Sequence, residues 1–320
     1  MRSSRRAFLH GTCSCAAHIA LAGALLPPLA RSAWAARPGG RVVAAEPFGR
    51  LESVAPGVWA LISTPLTGDR TTLSNGGLIA GTNGVLAIEG FMMPAGARWL
   101  ADQAVALTGM RPSHVVLSHY HADHVNGVAG FTNVSGTPVT VHATRATLDL
   151  ARERNQPADP DRTRLLDGAT VIAPTGNTTL DLGGRQITIT PHAGHTASDV
   201  IVTVDDTIFC GDLVWNAMFP NYMDTVPSAL AATVRALRSQ GAARYVPGHG
   251  SMSAPADLDR YLSMLESVER AARASRGRGQ SAAEAATAYR FPEALGEWML
   301  FSPRFLEVAF QAWYRELGGA

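Results

Sequence analysis

Between residues 50 and 118 the chain is written in short apolar runs broken by turn residues. Residues 58–62, 77–80 and 84–88 are rich in Val, Ile, Leu and Ala and bounded by Gly, Asn and Thr, which predicts a meander of strands. Asn75-Gly76 and Asn83-Gly84 are the dipeptides expected to close hairpins. The period then changes: Trp99, Leu100, Ala104 and Leu107 recur at helical spacing, predicting a helix over 95–107 that Gly109 ends. A strand is predicted over 114–118. The second half repeats the style, with a strand at 139–142, a helix at 143–152, an exposed Pro/Asp-rich loop at 155–161 and a strand at 186–190. A hairpin follows at 200–210 around Asp205-Asp206, then a helix at 229–238 and a short strand at 244–246. Strands alternating with helices place the chain in the α/β class.

From residue 255 the texture shifts to Ala, Arg and Glu, predicting helices over 257–274, 282–289 and 303–317 with a flexible break at 276–279. Phe305, Leu306, Ala309, Phe310 and Trp313 share one face of the last helix, and such a face must pack. It is expected to cover the core or the mouth of a site, or to meet a second copy of the chain; the pattern leaves the oligomeric state open.

Composition narrows the classes. At 320 residues, 46% hydrophobic and 17% charged, the chain can bury a substantial core. The formal net charge is only +1, and Arg2, Arg5, Arg6 and Arg31 fall in the first 35 residues, so no basic surface for nucleic acid is implied. All 27 basic residues are arginine, which excludes a lysine Schiff base or a lysine grip on a substrate carboxylate. The N-terminus has a charged start, an apolar stretch at 16–30 and Ala33-Trp34-Ala35, the pattern of a cleaved leader. Ser4-Arg5-Arg6-Ala7-Phe8-Leu9 resembles the signal read by the twin-arginine export machinery. Residues 1–35 are therefore expected to be a signal peptide and the mature chain to be periplasmic. The apolar stretch, interrupted by Pro27-Pro28, is shorter than the about 20 residues a membrane span needs, so no stable anchor is expected. With Cys13 and Cys15 in the leader, Cys210 stands alone; it reads as a small buried hydrophobe, and no internal disulfide can form.

The chemistry sits where strands end. Ser118-His119-Tyr120-His121-Ala122-Asp123-His124 follows the strand at 114–118, and glycines at 127 and 130 are expected to end the loop and admit a helix. A loop is not bound to one pleat direction, so His119 and His121 can turn toward one point and Asp123 and His124 toward another. Three more polar stations follow, also at predicted strand ends: Gly194-His195-Thr196, Gly211-Asp212 and Pro247-Gly248-His249-Gly250. His114, His142 and His192 lie outside these stations and read as supports behind a site or as surface residues. Tyr120, Asn126, Asn216 and Tyr222 are close enough to touch a substrate, with packing or loop hydrogen bonding as the simpler use.

The four stations, in this order, resemble the metallo-β-lactamase superfamily over roughly residues 50–255. The resemblance implies a four-layer αβ/βα sandwich with metals at one edge, formed by residues 36–255, with 256–320 as a C-terminal helical extension. It also implies His119, His121 and His195 on one ion, Asp123, His124 and His249 on a second, and Asp212 bridging them. Two Zn²⁺, with iron or manganese as alternatives, suit such His and Asp donors. The implied activity is hydrolysis of a small ester, thioester, lactone or related molecule by a hydroxide shared between the ions, with Asp123 orienting it and taking its proton. The bridging carboxylate is similar to the glyoxalase II, lactonase and phosphodiesterase branches and departs from true β-lactamases. Three other readings remain: an iron oxidoreductase of the same fold, which would need one ion, a β-lactamase, and a non-catalytic accessory protein of a periplasmic quinoprotein or sulfur-oxidation system.

Overall fold

In strand β3 (Val58–Ser63) every residue is buried, and successive side chains enter different cores. Val58, Ala60 and Ile62 join one apolar cluster, whereas Trp59 and Leu61 join another. A strand apolar on both faces must be covered on both, and that requirement generates the layers. The computed structural model describes residues 39–64, 68–132 and 139–318. The expected leader, with Cys13 and Cys15, lies outside the described residues.

The first sheet runs in chain order: β1 (Arg41–Glu46), β2 (Gly49–Ala55), β3, β4 (Gly76–Ala80), β5 (Val85–Ile88), β6 (His114–Val116), β7 (Thr140–Thr144) and β8 (Thr170–Ile172). Its first five strands are antiparallel, and β6, β7 and β8 add in parallel through helical crossovers. The second sheet has the order β13-β12-β11-β10-β9. It is formed by β9 (Thr178–Asp181), β10 (Gln186–His192), β11 (Asp199–Val204), β12 (Thr207–Trp215) and β13 (Arg244–His249), of which only β13 is parallel to its neighbour.

Three clusters fill the gaps between layers. Ile62, Leu86 and Val116 of the first sheet meet Ile189, Val202 and Phe209 of the second, so the sheets pack face to face. Leu61 and Val115 pack outward under α1 (Pro94–Thr108), α3 (Arg145–Arg154) and α4 (Pro160–Asp167), through Leu100, Leu148 and Leu166. Ile201, Ile208 and Cys210 pack outward under α5 (Pro227–Ser239), α6 (Pro255–Gly277), α7 (Ala282–Ala288) and α8 (Arg304–Glu316). The result is the αβ/βα sandwich. Phe305, Ala309, Phe310 and Trp313 of α8 are buried in this last cluster, so the face predicted to pack does so within its own chain. Cys210 is fully buried, and burial pushes its thiol far up.

Four local expectations are corrected. Asn75-Gly76 is not a hairpin turn: Gly76 already lies in β4, and the Asn75 amide is buried as a staple between distant segments. Asn83-Gly84, by contrast, does close the β4–β5 hairpin, with Gly81 N–H donating to the Gly84 carbonyl at 3.0 Å. The helix expected after the ligand loop starts inside it, as α2 (Ala122–Val125), and only a 3₁₀ turn follows at Val128–Phe131. The loop at 155–161 is not wholly exposed: Asn155 is buried, and its Nδ2 donates to the Tyr120 carbonyl at 2.8 Å. The expected break at 276–279 comes later than read, because α6 continues to Gly277 and Arg276 is tied to the Tyr314 carbonyl at 2.6 Å.

Candidate metal centre

Each candidate residue leaves a strand at the same edge of the sandwich. Beyond β6, Leu117 N–H bonds the His142 carbonyl at 3.0 Å and Ser118 accepts from Val200 N–H at 2.8 Å, which anchors the motif to both sheets. His121 is the residue before α2, and the helical turn swings Asp123 and His124 away from the direction of His119 and His121. His195 lies between β10 and β11, Asp212 within β12 and His249 at the end of β13. Gly248 is required here by close approach: a Cβ on it would stand 2.0 Å from Asp212 Oδ1.

All seven candidate ligands converge, in two groups. Donor atoms of His119, His121, His195 and Asp212 lie within 4.8 Å of one another, as do those of Asp123, His124 and His249. His121 Nδ1 is 3.0 Å from both His119 Nε2 and His195 Nε2. Asp212 faces both groups with different oxygens. Its Oδ2 is 3.3 Å from His195 Nε2 and 3.9 Å from His119 Nε2, and its Oδ1 is 3.2 Å from His124 Nε2 and 3.3 Å from His249 Nε2. Asp123 Oδ2 completes the second group, 3.4 Å from His249 Nε2 and 3.7 Å from His124 Nε2.

The donor set fits divalent ions on physical grounds. His124 Nε2, His249 Nε2 and Asp212 Oδ1 are buried with no hydrogen-bond partner among the described residues, an arrangement that costs several kcal/mol, on the order of 1–3 per atom, unless a cation takes their lone pairs. Burial drives His119 well below the ordinary histidine range and His195 down to about 3, so both rings are neutral and ready to donate. Burial also acts to lower His124, but the Asp212, Glu89 and Asp123 carboxylates outweigh it and hold positive charge there. Asp212, although buried, is held well below the carboxylate range by His249, His124 and His195. A cation is what this cluster of carboxylates is arranged to receive.

Outer partners set the rings. Asp224 Oδ2 lies 3.1 Å from His121 Nε2; a carboxylate only accepts, so Nε2 carries the proton and Nδ1 is left bare toward the first group. Glu89 Oε1 lies 3.1 Å from His124 Nδ1 as an ion-pair contact without hydrogen-bond geometry, so it acts on that ring through its charge. Ser118 Oγ is 2.9 Å from His119 Nδ1. Trp215 lies over the His249 ring at 4.0 Å between centroids, and Phe301, just ahead of α8, meets Trp215 edge-on at 6.2 Å. The Asn75 amide accepts from Ser63 N–H at 2.8 Å and donates to the Pro247 and Gly250 carbonyls at 2.9 and 2.8 Å, fixing the loop that carries His249.

Glu89 and Asp224 were not singled out in the sequence, and Asn75 was read there only as part of a hairpin turn. Glu89 had a signal, a polar residue directly after the apolar β5; Asp224 had none. The side residues take quieter roles. His114 Nδ1 and His142 Nε2 bond each other at 3.0 Å, and the His192 side chain bonds none of the seven. Asn126 accepts from Arg162, Asn216 donates to the Ser251 and Met252 carbonyls, and Tyr222 stacks on Phe219. Tyr120 donates its hydroxyl proton to Asp224.

A family model described as the metallo-beta-lactamase superfamily matches residues 70–249, more than half of the chain. The chain belongs to the metallo-β-lactamase superfamily. Among members of the superfamily, a hydroxyacylglutathione hydrolase of Acidiphilium cryptum (strain JF-5) is 29% identical over 148 residues, covering 46% of this chain and 53% of that one. One from Shewanella sp. (strain ANA-3) is 26% identical over 136 residues, covering 41% and 44%. The chain thus spans about half the length of the curated relatives it matches. Among solved structures, a stereoselective inverting sec-alkylsulfatase from Pseudomonas sp. superposes over 95% of this chain and 62% of its own at a TM-score of 0.68 and 17% identity. A metallo-beta-lactamase from Pontibacter korlensis superposes over 68% and 99% at 0.56 and 21%. At such identities these two likenesses establish the superfamily fold alone.

Proposed function

We propose that this superfamily member is a metal-dependent hydrolase holding two ions, zinc by the predominance of borderline imidazole donors over hard carboxylates, and acting on a small ester, thioester, lactone or related substrate. The observation that carries the reading is Asp212, whose two oxygens each face a different group of ligand atoms. When bound, two such ions supply Lewis acidity and bring the pKa of a water in the site to near 7. Among the ligands, His121 and Asp123 keep the greatest side-chain exposure, 14% and 9%, so a substrate enters from their side. Asp123, facing His124 and His249 through Oδ2, is placed to orient the attacking water and to accept its proton. Arg154 reaches this rim with its charge engaged by Asp224, 3.0 Å from Oδ1.

The hydroxyacylglutathione hydrolase relatives favour a thioester, and the alkylsulfatase adds sulfate esters to the range worth testing. Metal analysis of the purified mature protein is expected to give two ions per chain. A panel of thioester, lactone, carboxylic ester, sulfate ester, phosphodiester and β-lactam is expected to show turnover in one of the first four classes. A single iron per chain with no hydrolysis would replace this reading with the oxidoreductase one, and two ions with no turnover on any class would favour the accessory role.

A further inference from the structure

Next to the candidate centre, at its solvent side, four side chains from three separate segments close on one another. Asp224, from the stretch between β12 and α5, is the hub. Its Oδ2 accepts from His121 Nε2 at 3.1 Å and from the Tyr120 hydroxyl, and its Oδ1 accepts from Arg154 Nη1 at 3.0 Å. Arg154, at the end of α3, also donates to the Tyr120 oxygen at 2.7 Å and lies over the Tyr120 ring at 5.2 Å. The carboxylate is thus fixed at both oxygens, with Tyr120 and Arg154 leaving it one orientation in which to meet His121.

Resting on the two-ion reading above, we propose that Asp224 is the positioning residue of the first ion's site. Held by Tyr120 and Arg154, it fixes His121 as the Nε2–H tautomer and so presents Nδ1 to the ion. The two groups of ligands are supported unequally. His124, in the second group, meets the buried Glu89, just after β5, as an ion-pair contact without hydrogen-bond geometry, whereas His121 is hydrogen-bonded to Asp224, whose side chain keeps 25% of its exposure. Among the described residues His195 Nδ1 in the first group and His124 Nδ1 and His249 Nδ1 in the second are all buried with no hydrogen-bond partner, so the support that Asp224 gives His121 through a hydrogen bond falls to the first group alone. Loss of Asp224 therefore weakens the first ion selectively, and the effect comes from the tautomer more than from the clasp between the two halves of the chain. A neutral imidazole in water favours neither nitrogen strongly, and a ring carrying its proton on Nδ1 cannot donate a lone pair there.

The test uses the mature metal-free protein and zinc, with no dependence on substrate. Stepwise zinc titration against a chelating indicator is run on wild type and on Asp224→Ala, Asp224→Asn and Tyr120→Phe. Nitrogen-15 spectra of the imidazoles report the tautomer of His121. Expected for Asp224→Ala is a loss of about 10–100-fold in one zinc step, the other unchanged, and a mixed tautomer at His121. Asp224→Asn, which keeps an acceptor oxygen but loses charge, falls between. Tyr120→Phe leaves the His121 bond to Asp224 in place and loses less. The proposal is overturned by two unchanged zinc steps in Asp224→Ala, or by equal loss in both steps together with a lowered melting temperature of the metal-free protein, the mark of a clasp alone. Should wild type bind fewer than two ions, the two-ion reading fails by itself, and the tautomer spectra, which need no metal, still decide the role of Asp224.

Discussion

Asp212 Oδ1 and Oδ2 answer to different pairs of imidazoles, so one substitution separates a shared ligand from seven independent ones. Asp212→Ala is expected to lower bound metal from two toward one or none and to cut hydrolysis by more than the about 10–100-fold that loss of an outer partner costs. Unchanged activity with two ions retained would sink the assignment. Gly248→Ala tests the same atom sterically. Its Cβ would fall 2.0 Å from Asp212 Oδ1 and 2.8 and 2.9 Å from the backbone at Gly211 and Asp212, so β12 and β13 must part there, and both metal affinity and the melting temperature are expected to drop, as a titration beside a thermal melt would show. At this scale the sequence was most readable where chemistry restricts the choice of residue. Ligands must be His or Asp, and the seven stood out at strand ends. Glu89, Asp224 and Asn75 act through hydrogen bonds that many polar side chains can make, and their partners lie up to 175 positions away, so the local signals at Glu89 and Asn75 did not disclose their use and Asp224 had none.

Helix α8 decides what the C-terminal segment is for. Its buried face continues through Phe305 and Phe301 to Trp215, which lies on His249, so the extension backs the second group of ligands. Phe310→Ala, in the middle of that face, is expected to destabilise the protein by about 3–5 kcal/mol, measured as a shift of the urea midpoint. An effect under about 1 kcal/mol would return the face to an interface role. Periodicity located this helix and its face because 3- and 4-residue spacing is a strong signal over thirteen residues. The same kind of reading failed at Asn75-Gly76 because a turn dipeptide and a buried amide staple use the same residue type. It also ended α6 early, since Arg276 and Gly277 still belong to its last turn and Arg278 caps it.

For the molecule as a whole, strands were legible but their arrangement was not. β3 and β5 are apolar on both faces, and nothing in their own sequence says which neighbour covers which face; the two-sheet sandwich was expected only through the ordered stations. The His114–His142 pair gives the fold a pH dependence. Burial, with the His114 ring beside it, lowers His142 from 6.5 to about 4, so between those values the unfolded chain holds more proton than the folded one. This contribution is fully present above pH 6.5 and is lost as pH falls toward 4. His142→Gln should flatten the stability curve of the metal-free protein in that window, by at most about 1.4 kcal/mol per pH unit and less because the ring keeps some solvent. Identical slopes would show that the pair is electrostatically silent. Export by the twin-arginine route, proposed from residues 4–9, predicts that Arg5→Lys with Arg6→Lys leaves the protein in the cytoplasm on cell fractionation. The Asn75 staple bears on the order of events during synthesis. Its amide waits for Pro247 and Gly250, so a nascent chain that has displayed His119 through His124 still has no closed cage until residue 250 has left the ribosome.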